Sequence, residues 1–423
     1  MKITLSAVFC ALLLLTGCSG KSLELSVPPA KEGLANSDNF AWWSRAAMDS
    51  FMRWSVWRGN KSGYITLFAR DGVAVHSSAV GWKDIENGER LGVDTHVRIA
   101  SMTKPITAVT AMTLVEEGLL SLDDSVAQYL PEFATLNVGT SETPAGDGSY
   151  ITRPAQVQLK IRHLLMFASG IGPGMNKDSA LVRYWDANGI YQQPAGTLRE
   201  RVSALAELPL FEEPGTRWRY GYSADVLAAV IEVVTGQLIG DAMRERVFIP
   251  LGMQDTRFME PNDDHSALAT VYTQDENGDL VKSVPRSYRG WHPGGGGLVS
   301  TAADYMRFAL MLWNNGEYRG TRILRVDTLT QMQQLHVPDG VLADADIEGI
   351  GWGLGMAVVA DEEASLTPDR TGDFWWSGYF GTTFVVSPST GMVAVILTQN
   401  EPGEFSGLPY EVYVLQGLAL AGM

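Results

Sequence analysis

Strand-like segments lie near both ends of this chain, and helical segments lie between them. The stretch "SGYITLFARDGVAVHSSAVGW" (62–82) contains two β-rich runs joined by Asp71-Gly72, a pair typical of a hairpin turn. Towards the other end, "GTTFVVSPSTGMVAVILTQN" (381–400) again has two β-rich runs around a short turn. This pattern predicts an α+β fold with one sheet built from both termini and a helical insertion.

Two helices are predicted from the spacing of apolar residues. Residues 41–57 are apolar at helical intervals. In "KPITAVTAMTLVEEGLL" (104–120), Ile106, Val109 and Met112 share one helical face, and we expect the helix to close near Gly118.

The N-terminus is typical of a targeting segment. A lysine, a short apolar stretch and small residues make up "MKITLSAVFCALLLLTGCSG". The tetrad ending at Cys18 resembles a bacterial lipoprotein box, which implies a signal peptide over 1–17, lipidation of Cys18 and a tether over 18–40. An ordinary signal peptide is the alternative. Ser19 after Cys18 resembles the sorting signal of outer-membrane lipoproteins, which implies an envelope protein on the periplasmic side.

Charge and cysteine content exclude several classes of function. The chain has 32 basic and 48 acidic residues, a net charge of −16, so we expect no nucleic-acid partner. Cys10 and Cys18 are its two cysteines, and processing at Cys18 would leave no thiol for a disulfide or a zinc site. The six histidines show no ligand spacing, so we predict no metal and no cofactor.

A serine stands three residues before a lysine in "RIASMTKPIT" (98–107). On a helix these positions share one face, so Lys104 can reach the Ser101 hydroxyl. A serine needs such a base to act as a nucleophile, and burial among apolar neighbours favours the neutral, basic form of a lysine. The alternative is that Ser101 only caps the helix and that Lys104 is solvated.

Several segments in order resemble the serine β-lactamase and penicillin-recognising superfamily, and within it the class C-like branch with the family VIII carboxylesterases. Besides Ser-Met-Thr-Lys, these are "IRHLLMFASGIG" (161–172), "PGTRWRYGYSADVLAAVIEVVTG" (214–236), "GGGGLVSTAADYMRF" (294–308) and "GWGLGM" (351–356). The resemblance implies a β-lactamase/transpeptidase-like fold over 41–423. Its antiparallel sheet would come from about 41–100 and 290–423, and its mostly helical part from about 101–289.

The resemblance also implies the other catalytic residues. Tyr220 matches the tyrosine of the branch and would exchange protons with Ser101 and the leaving group, with Tyr222 as the competing alignment. Trp376-Ser377-Gly378 matches the W-x-G of the esterases, which implies a substrate-binding segment in which Gly378 lets the backbone approach the substrate. By the same resemblance, the amide of Tyr379 would pair with that of Ser101 as an oxyanion hole. His292, beside the glycine run at 294–297, is a further candidate for the pocket lining.

Two departures from the β-lactamase pattern point to the substrate. Trp376 stands where a lysine would bind a β-lactam carboxylate, and Tyr222 stands where an asparagine would contact the amide. Both changes favour small neutral or apolar esters and leave room for weak β-lactam hydrolysis. We therefore predict a monomeric serine carboxylesterase. The alternatives are a β-lactamase or D,D-peptidase, an acyltransferase, and a non-catalytic protein that binds wall fragments.

Overall fold

The computed structural model describes residues 40–423, except for 142–143, 145–149, 176–178, 193–195, 261, 286–289, 338–341, 343–346, 366 and 403–409. The predicted signal peptide, the lipidation site Cys18 and all of the tether but Phe40 lie outside the described residues. The predicted boundaries between the sheet part and the helical part, near residues 100 and 290, stay predictions. One continuous hydrophobic core includes residues from Phe40 to Ala419.

The strands within these ranges are short, apart from those at the centre of the main sheet. They are β1 Gly63–Arg70, β2 Val73–Asp84, β3 Glu89–Arg90, β4 Val97–Arg98, β5 Asn137–Gly139, β6 Thr152–Pro154, β7 Arg257–Phe258, β8 Tyr272–Gln274, β9 Leu280–Lys282, β10 Leu298–Ser300, β11 Glu317–Tyr318, β12 Thr321–Arg322, β13 Ile350–Trp352, β14 Ala357–Val359, β15 Phe374–Gly378, β16 Thr382–Ser387 and β17 Met392–Leu397.

The helices occupy mainly the middle of the chain and its two ends. They are α1 Trp42–Trp57, α2 Thr103–Glu116, α3 Ile161–Leu165, α4 Ala180–Asn188, α5 Leu198–Leu205, α6 Ser223–Thr235, α7 Ile239–Met243, α8 Ile249–Leu251, α9 Ala302–Trp313, α10 Val326–Gln333 and α11 Tyr410–Ala421. The described part of the chain also has three 3₁₀ turns (Ala100–Met102, Val126–Gln128, Pro131–Ala134) and a π turn (Arg244–Phe248).

The main sheet joins the two ends of the chain, as predicted. Its eight strands run β13-β14-β15-β16-β17-β1-β2-β3, and every neighbouring pair is antiparallel. The centre of the sheet pairs Ile65 of β1 with Leu397 of β17. The expected fold class is thereby confirmed.

The first hairpin, between β1 and β2, has the turn that its sequence predicts. Arg70 pairs with Val73, so the turn has two residues, Asp71 at φ 49° and Gly72 at φ 80°. A type I′ turn needs positive φ at both positions, which aspartate tolerates and glycine adopts freely.

Helices cover the central strands. Strands β16 and β17 are buried along their whole length, as expected for strands covered on both faces. Helices α1 and α11 pack on each other and on the sheet, whereas α9 packs on β1, β16 and β17.

Helix α2 carries the predicted Ser-x-x-Lys lysine into the centre of the molecule. Of its fourteen residues, all from Thr103 to Leu114 are buried, so the helix is enclosed on every side. It packs on α6 and α7, and the 3₁₀ turn before it packs on β15 and β16. Ser101 therefore lies where the sheet meets the helices.

The described residues hold no single helix that meets the length and hydropathy of a membrane span. The pair Ser223–Thr235 and Ile239–Leu251, bent by 81°, passes on length and composition alone.

Candidate active site

Ser101 sits in a tight turn at the start of α2. The turn Ala100–Met102 runs directly into the helix, and Ala100 has a φ of 43°. A left-handed alanine costs on the order of 1 kcal/mol and persists only where its surroundings hold it. Here the Thr382 hydroxyl donates to the Ile99 carbonyl at 3.2 Å, and the Ile99 N–H donates to the Leu298 carbonyl at 3.0 Å. Strands β16 and β10 thus fix the turn that presents Ser101.

Lys104 lies one helical turn further on and reaches back to the serine. Its Nζ donates to Ser101 Oγ at 3.0 Å and to the Gly295 carbonyl at 2.6 Å. Lys104 is only 5% exposed. The alternative of a solvated Lys104 beside a capping serine is therefore wrong, because the lysine is buried and bonded to the serine hydroxyl.

Tyr220 completes the group. Its Oη lies 2.6 Å from Ser101 Oγ, and Lys104 Nζ stands 4.7 Å from the centre of its ring. Backbone bonds hold the tyrosine in place: the Arg219 N–H donates to the Phe167 carbonyl at 2.7 Å and the Gly174 N–H to the Tyr220 carbonyl at 2.9 Å. The segment around "FASGIG" therefore supports the loop that carries Tyr220.

Tyr222, the competing candidate, points into a different group of side chains. Its ring stacks on Trp185 at 5.9 Å and meets the edge of Tyr191 at 5.8 Å. Its backbone precedes α6 as the N-cap. The structure thus places the hydroxyl of Tyr220 at Ser101 and the ring of Tyr222 against Trp185 and Tyr191, and the catalytic role of Tyr220 stays a prediction.

Asp225, in the first turn of α6, is a member of the site that the sequence analysis did not assign. Its Oδ1 accepts the Gly295 N–H at 3.0 Å, and Gly295 in turn accepts from Lys104. Asp225 is 1% exposed, and burial raises its pKa to about 6 against the opposing attraction of Lys104. Asp225 therefore positions the carbonyl that holds Lys104 and places a second charge near it.

The end of β15 lies against the turn of Ser101. A Cβ on Gly378 would come within 2.3 Å of both the Ile99 carbonyl oxygen and Thr382 Oγ1, so only glycine fits there without a shift. The approach seen at Gly378 is to the protein's own backbone, and the close approach of a substrate there stays a prediction. Ser377 Oγ donates to Thr383 Oγ1 at 2.9 Å, and the Tyr379 side chain is exposed. The oxyanion and substrate roles of these residues stay predictions.

An aromatic wall surrounds the Tyr220 ring. Trp376 lies 5.7 Å from Tyr220 and meets Trp352 edge-on at 4.6 Å, while Phe167 stacks on Tyr220 at 5.9 Å. Phe167 has a φ of 54°, rare for a bulky residue. Trp376 Nε1 is buried and has no hydrogen-bond partner among the described residues. Trp376 thus stands beside the reactive group, although its side chain is buried.

His292 takes its contacts elsewhere. Its ring stacks on Phe258 at 4.4 Å, and its Nε2 lies 2.9 Å from a carboxylate oxygen of Glu260. A pocket-lining role for His292 stays a prediction without support from these contacts. Within the described ranges, no group of three or more His, Cys, Asp or Glu side chains is placed to hold a metal ion.

The arrangement has the parts that acyl transfer requires. A hydroxyl nucleophile lies within hydrogen-bond distance of two groups that can exchange its proton, and a buried carboxylate supports one of them. Together with the antiparallel sheet and its helical insertion, this site defines a serine hydrolase of the β-lactamase-like fold.

The chain belongs to the Beta-lactamase family, whose model matches residues 45–418. Esterase EstB of Burkholderia gladioli is 30% identical over 367 residues, which cover 82% of this chain and 88% of EstB. The solved structure of "EstCE1, a hydrolase with promiscuous acyltransferase activity" is 26% identical, with a TM-score of 0.73 over 89% of this chain and 98% of its own. Simvastatin Synthase (LovD) from Aspergillus terreus shares the fold at 21% identity, with a TM-score of 0.75 over 89% of this chain and 98% of its own. The predicted superfamily is confirmed, and the esterase neighbours are consistent with the predicted branch of family VIII carboxylesterases.

Proposed function

We propose that this protein is a carboxylesterase that hydrolyses small neutral or apolar esters through an acyl-enzyme on Ser101. The observation that carries the proposal is the contact of Ser101 Oγ with Tyr220 Oη at 2.6 Å and with Lys104 Nζ at 3.0 Å. The relatives support it, since EstB is described as an esterase and EstCE1 as a hydrolase.

In the first half of the reaction, Ser101 Oγ attacks the ester carbonyl carbon. Its proton passes to the Lys104–Tyr220 pair, and the carbonyl oxygen takes the negative charge, for which we propose the backbone N–H groups of Ser101 and Tyr379 as donors. The intermediate then breaks its bond to the alcohol oxygen, which leaves with the proton held by the pair.

In the second half, water attacks the acyl carbon and gives its proton to the same pair. The bond to Ser101 Oγ breaks, the serine recovers the proton, and the carboxylic acid is released. The transfers to and from Ser101 Oγ run over its contacts with Tyr220 and Lys104, and the pair exchanges the same proton with the leaving alcohol and the attacking water.

The aromatic wall is the reason to propose neutral substrates. Trp376 places an indole where a β-lactam-binding lysine stands in the β-lactamase pattern, and Trp352 backs it at 4.6 Å. An apolar surface at this point gives a substrate carboxylate no charged partner and costs it solvation.

The test is a paired assay with a short p-nitrophenyl ester and a chromogenic cephalosporin on the wild type and Ser101→Ala. We expect turnover of the ester, little of the cephalosporin, and a loss of about four orders of magnitude or more in the variant. Preferential cleavage of the cephalosporin would replace this proposal by a β-lactamase. If neither substrate reacts, the alternative of a non-catalytic protein that binds wall fragments is favoured.

Acyl transfer to an alcohol is a second candidate, favoured by the acyltransferase activity in the description of EstCE1. The same acyl-enzyme would serve, with an alcohol in place of water. Adding a primary alcohol to the ester assay and measuring the new ester against the free acid separates the two.

We also propose that Cys18 is lipidated and anchors the protein on the periplasmic side of the outer membrane. The support is the Leu15–Cys18 tetrad behind a short apolar stretch. Mass spectrometry of the mature N-terminus tests this, with an acylated Cys18 as the expected result and an unmodified N-terminus elsewhere as the contrary one.

A further inference from the structure

The outward face of α1 carries four exposed tryptophans. Trp42 and Trp57 are each 78% exposed, Trp54 is 46% exposed and Trp43 is 39% exposed. At about 100° per residue, the four side chains fall within an arc of roughly 120°. Among the exposed large hydrophobic residues that the structure describes, every tryptophan belongs to this helix.

The opposite face of α1 supplies the packing that the fold needs. Ser44, Met48, Met52 and Ser55 are buried, and α1 packs through this side on α11 and the sheet. The tryptophan face is therefore not required for the core, and four tryptophans on one helix form a patch rather than scattered surface residues.

The charge of this face differs from that of the chain. Arg53 and Arg58 are exposed beside the tryptophans. The acidic residue of α1, Asp49, falls about 20° from Trp42 around the helix axis, and its carboxylate is 3.8 Å from His76 Nε2. In a chain of net charge −16, this helix thus joins aromatic surface with local positive charge.

We propose that the outward face of α1, Trp42, Trp43, Arg53, Trp54 and Trp57, rests on the surface of a phospholipid bilayer. Tryptophan favours the level of the lipid headgroups, because its ring is apolar and its N–H needs a polar partner. The guanidinium of Arg53 would meet lipid phosphates.

The position of α1 in the chain favours a bilayer over a protein partner. The chain has 23 residues between Cys18 and Trp42, and a segment of that length reaches at most about 80 Å. If Cys18 carries a lipid, as proposed above, α1 is the first helix that the structure describes after the anchor and is tethered to the bilayer. Docking of the face is then an intramolecular step, favoured by a high effective concentration.

The test uses the full chain, purified from membranes in its natural processed form and reconstituted into vesicles of phosphatidylethanolamine and phosphatidylglycerol. Lipids brominated near the headgroup quench tryptophans that lie at that depth. We expect quenching in the wild type and loss of most of it in Trp42→Phe/Trp57→Phe. Val284→Ser, which alters a valine 95% exposed elsewhere on the surface, is the matched control and should leave the quenching unchanged.

Two further measurements separate the outcomes. Ester hydrolysis and thermal unfolding should match the wild type in all variants, because α1's outward face is remote from the core packing. Arg53→Glu should weaken quenching in vesicles with phosphatidylglycerol and have less effect in neutral vesicles.

Several results would overturn the proposal. One is equal quenching in the wild type and the double tryptophan variant. Another is tryptophan fluorescence of the wild type that brominated lipid leaves unchanged, which would mean that the face does not meet the bilayer. A concentration-dependent dimer that the double variant abolishes would assign the face to a second copy. If Cys18 proves unmodified, the vesicles are added to the free chain and the same criteria apply, so failure of the anchor and failure of this face remain distinguishable.

Discussion

Ser101 Oγ and Tyr220 Oη lie 2.6 Å apart although 119 positions separate the two residues in the chain. The turn before α2 brings one hydroxyl and the loop before α6 brings the other, and the packing of α2 on α6 sets the distance. The chemistry proposed here depends on that contact.

Replacing each tyrosine of the Tyr220–Tyr222 pair separates the proton-transfer group from its neighbour. Tyr220→Phe removes the hydroxyl that contacts Ser101, so kcat for a p-nitrophenyl ester should fall by about 10²–10⁴-fold. Tyr222→Phe, the matched control, keeps the stacking on Trp185 and should change kcat far less. A larger loss in Tyr222→Phe would reverse the assignment.

Asp225 should make stability depend on pH. Its pKa of about 6 exceeds the usual value of about 3.9, so the folded protein holds this proton more tightly than the unfolded chain. Its contribution to the free energy of unfolding is fully present below about pH 4 and is lost as the pH rises through 6, a change on the order of 3 kcal/mol.

Asp225→Asn checks this prediction because asparagine keeps an oxygen for the Gly295 N–H and does not titrate. Urea unfolding between pH 4 and 7.5 should show a flatter profile in the variant, whereas Asp94→Asn, at an exposed position, should follow the wild type. An unchanged slope in Asp225→Asn would assign the titration to other groups.

Trp376 should set the size of the substrate group that fits beside Tyr220. Trp376→Phe shortens the wall, so kcat/KM for hexanoate relative to acetate esters should rise. Trp313→Phe, at the end of α9, is the control, because the Trp375 ring stacks on that of Trp376 at 5.9 Å and is not independent of it. Equal ratios in the two variants would contradict a role for Trp376 at the substrate.

Gly378 should be intolerant of a side chain. Gly378→Ala puts a Cβ within 2.3 Å of the Ile99 carbonyl, so backbone must shift at a cost of about 1–3 kcal/mol in the free energy of unfolding. Because Ile99 precedes Ser101 by two residues, ester hydrolysis should fall as well. Gly417→Ala, where a Cβ meets nothing within 4 Å, should be neutral or slightly stabilising in the same denaturation and activity assays.

The sequence predicted those features that rest on local rules. Asp71-Gly72 specifies its turn through backbone conformation, and the apolar spacing of α2 specifies a buried helix that ends at Glu116, two residues before Gly118. Ser101 and Lys104 were found together because one helical turn joins them.

Features that arise from contacts between distant segments of the chain cannot be predicted from local sequence rules. Asp225 had no motif of its own, since its part in the site arises only when the loop at Gly295 folds onto α6. Tyr220 and Tyr222 stand two positions apart in one turn, and the path of that turn decides which of them faces the serine. His292 follows the same logic, because its ring turns towards Phe258 and Glu260.

The pairing of β1 with β17 has a consequence for the order in which the protein can mature. Ile65 pairs with Leu397, so β1 cannot pair with β17 until nearly the whole chain has been synthesised. A chain stopped before residue 392 would keep an open edge along β1, and β16, which supports the turn of Ser101, would have no β17 to pair with. Completion of the last strand thus acts as a checkpoint: an unfinished copy has no assembled nucleophile with which to attack esters.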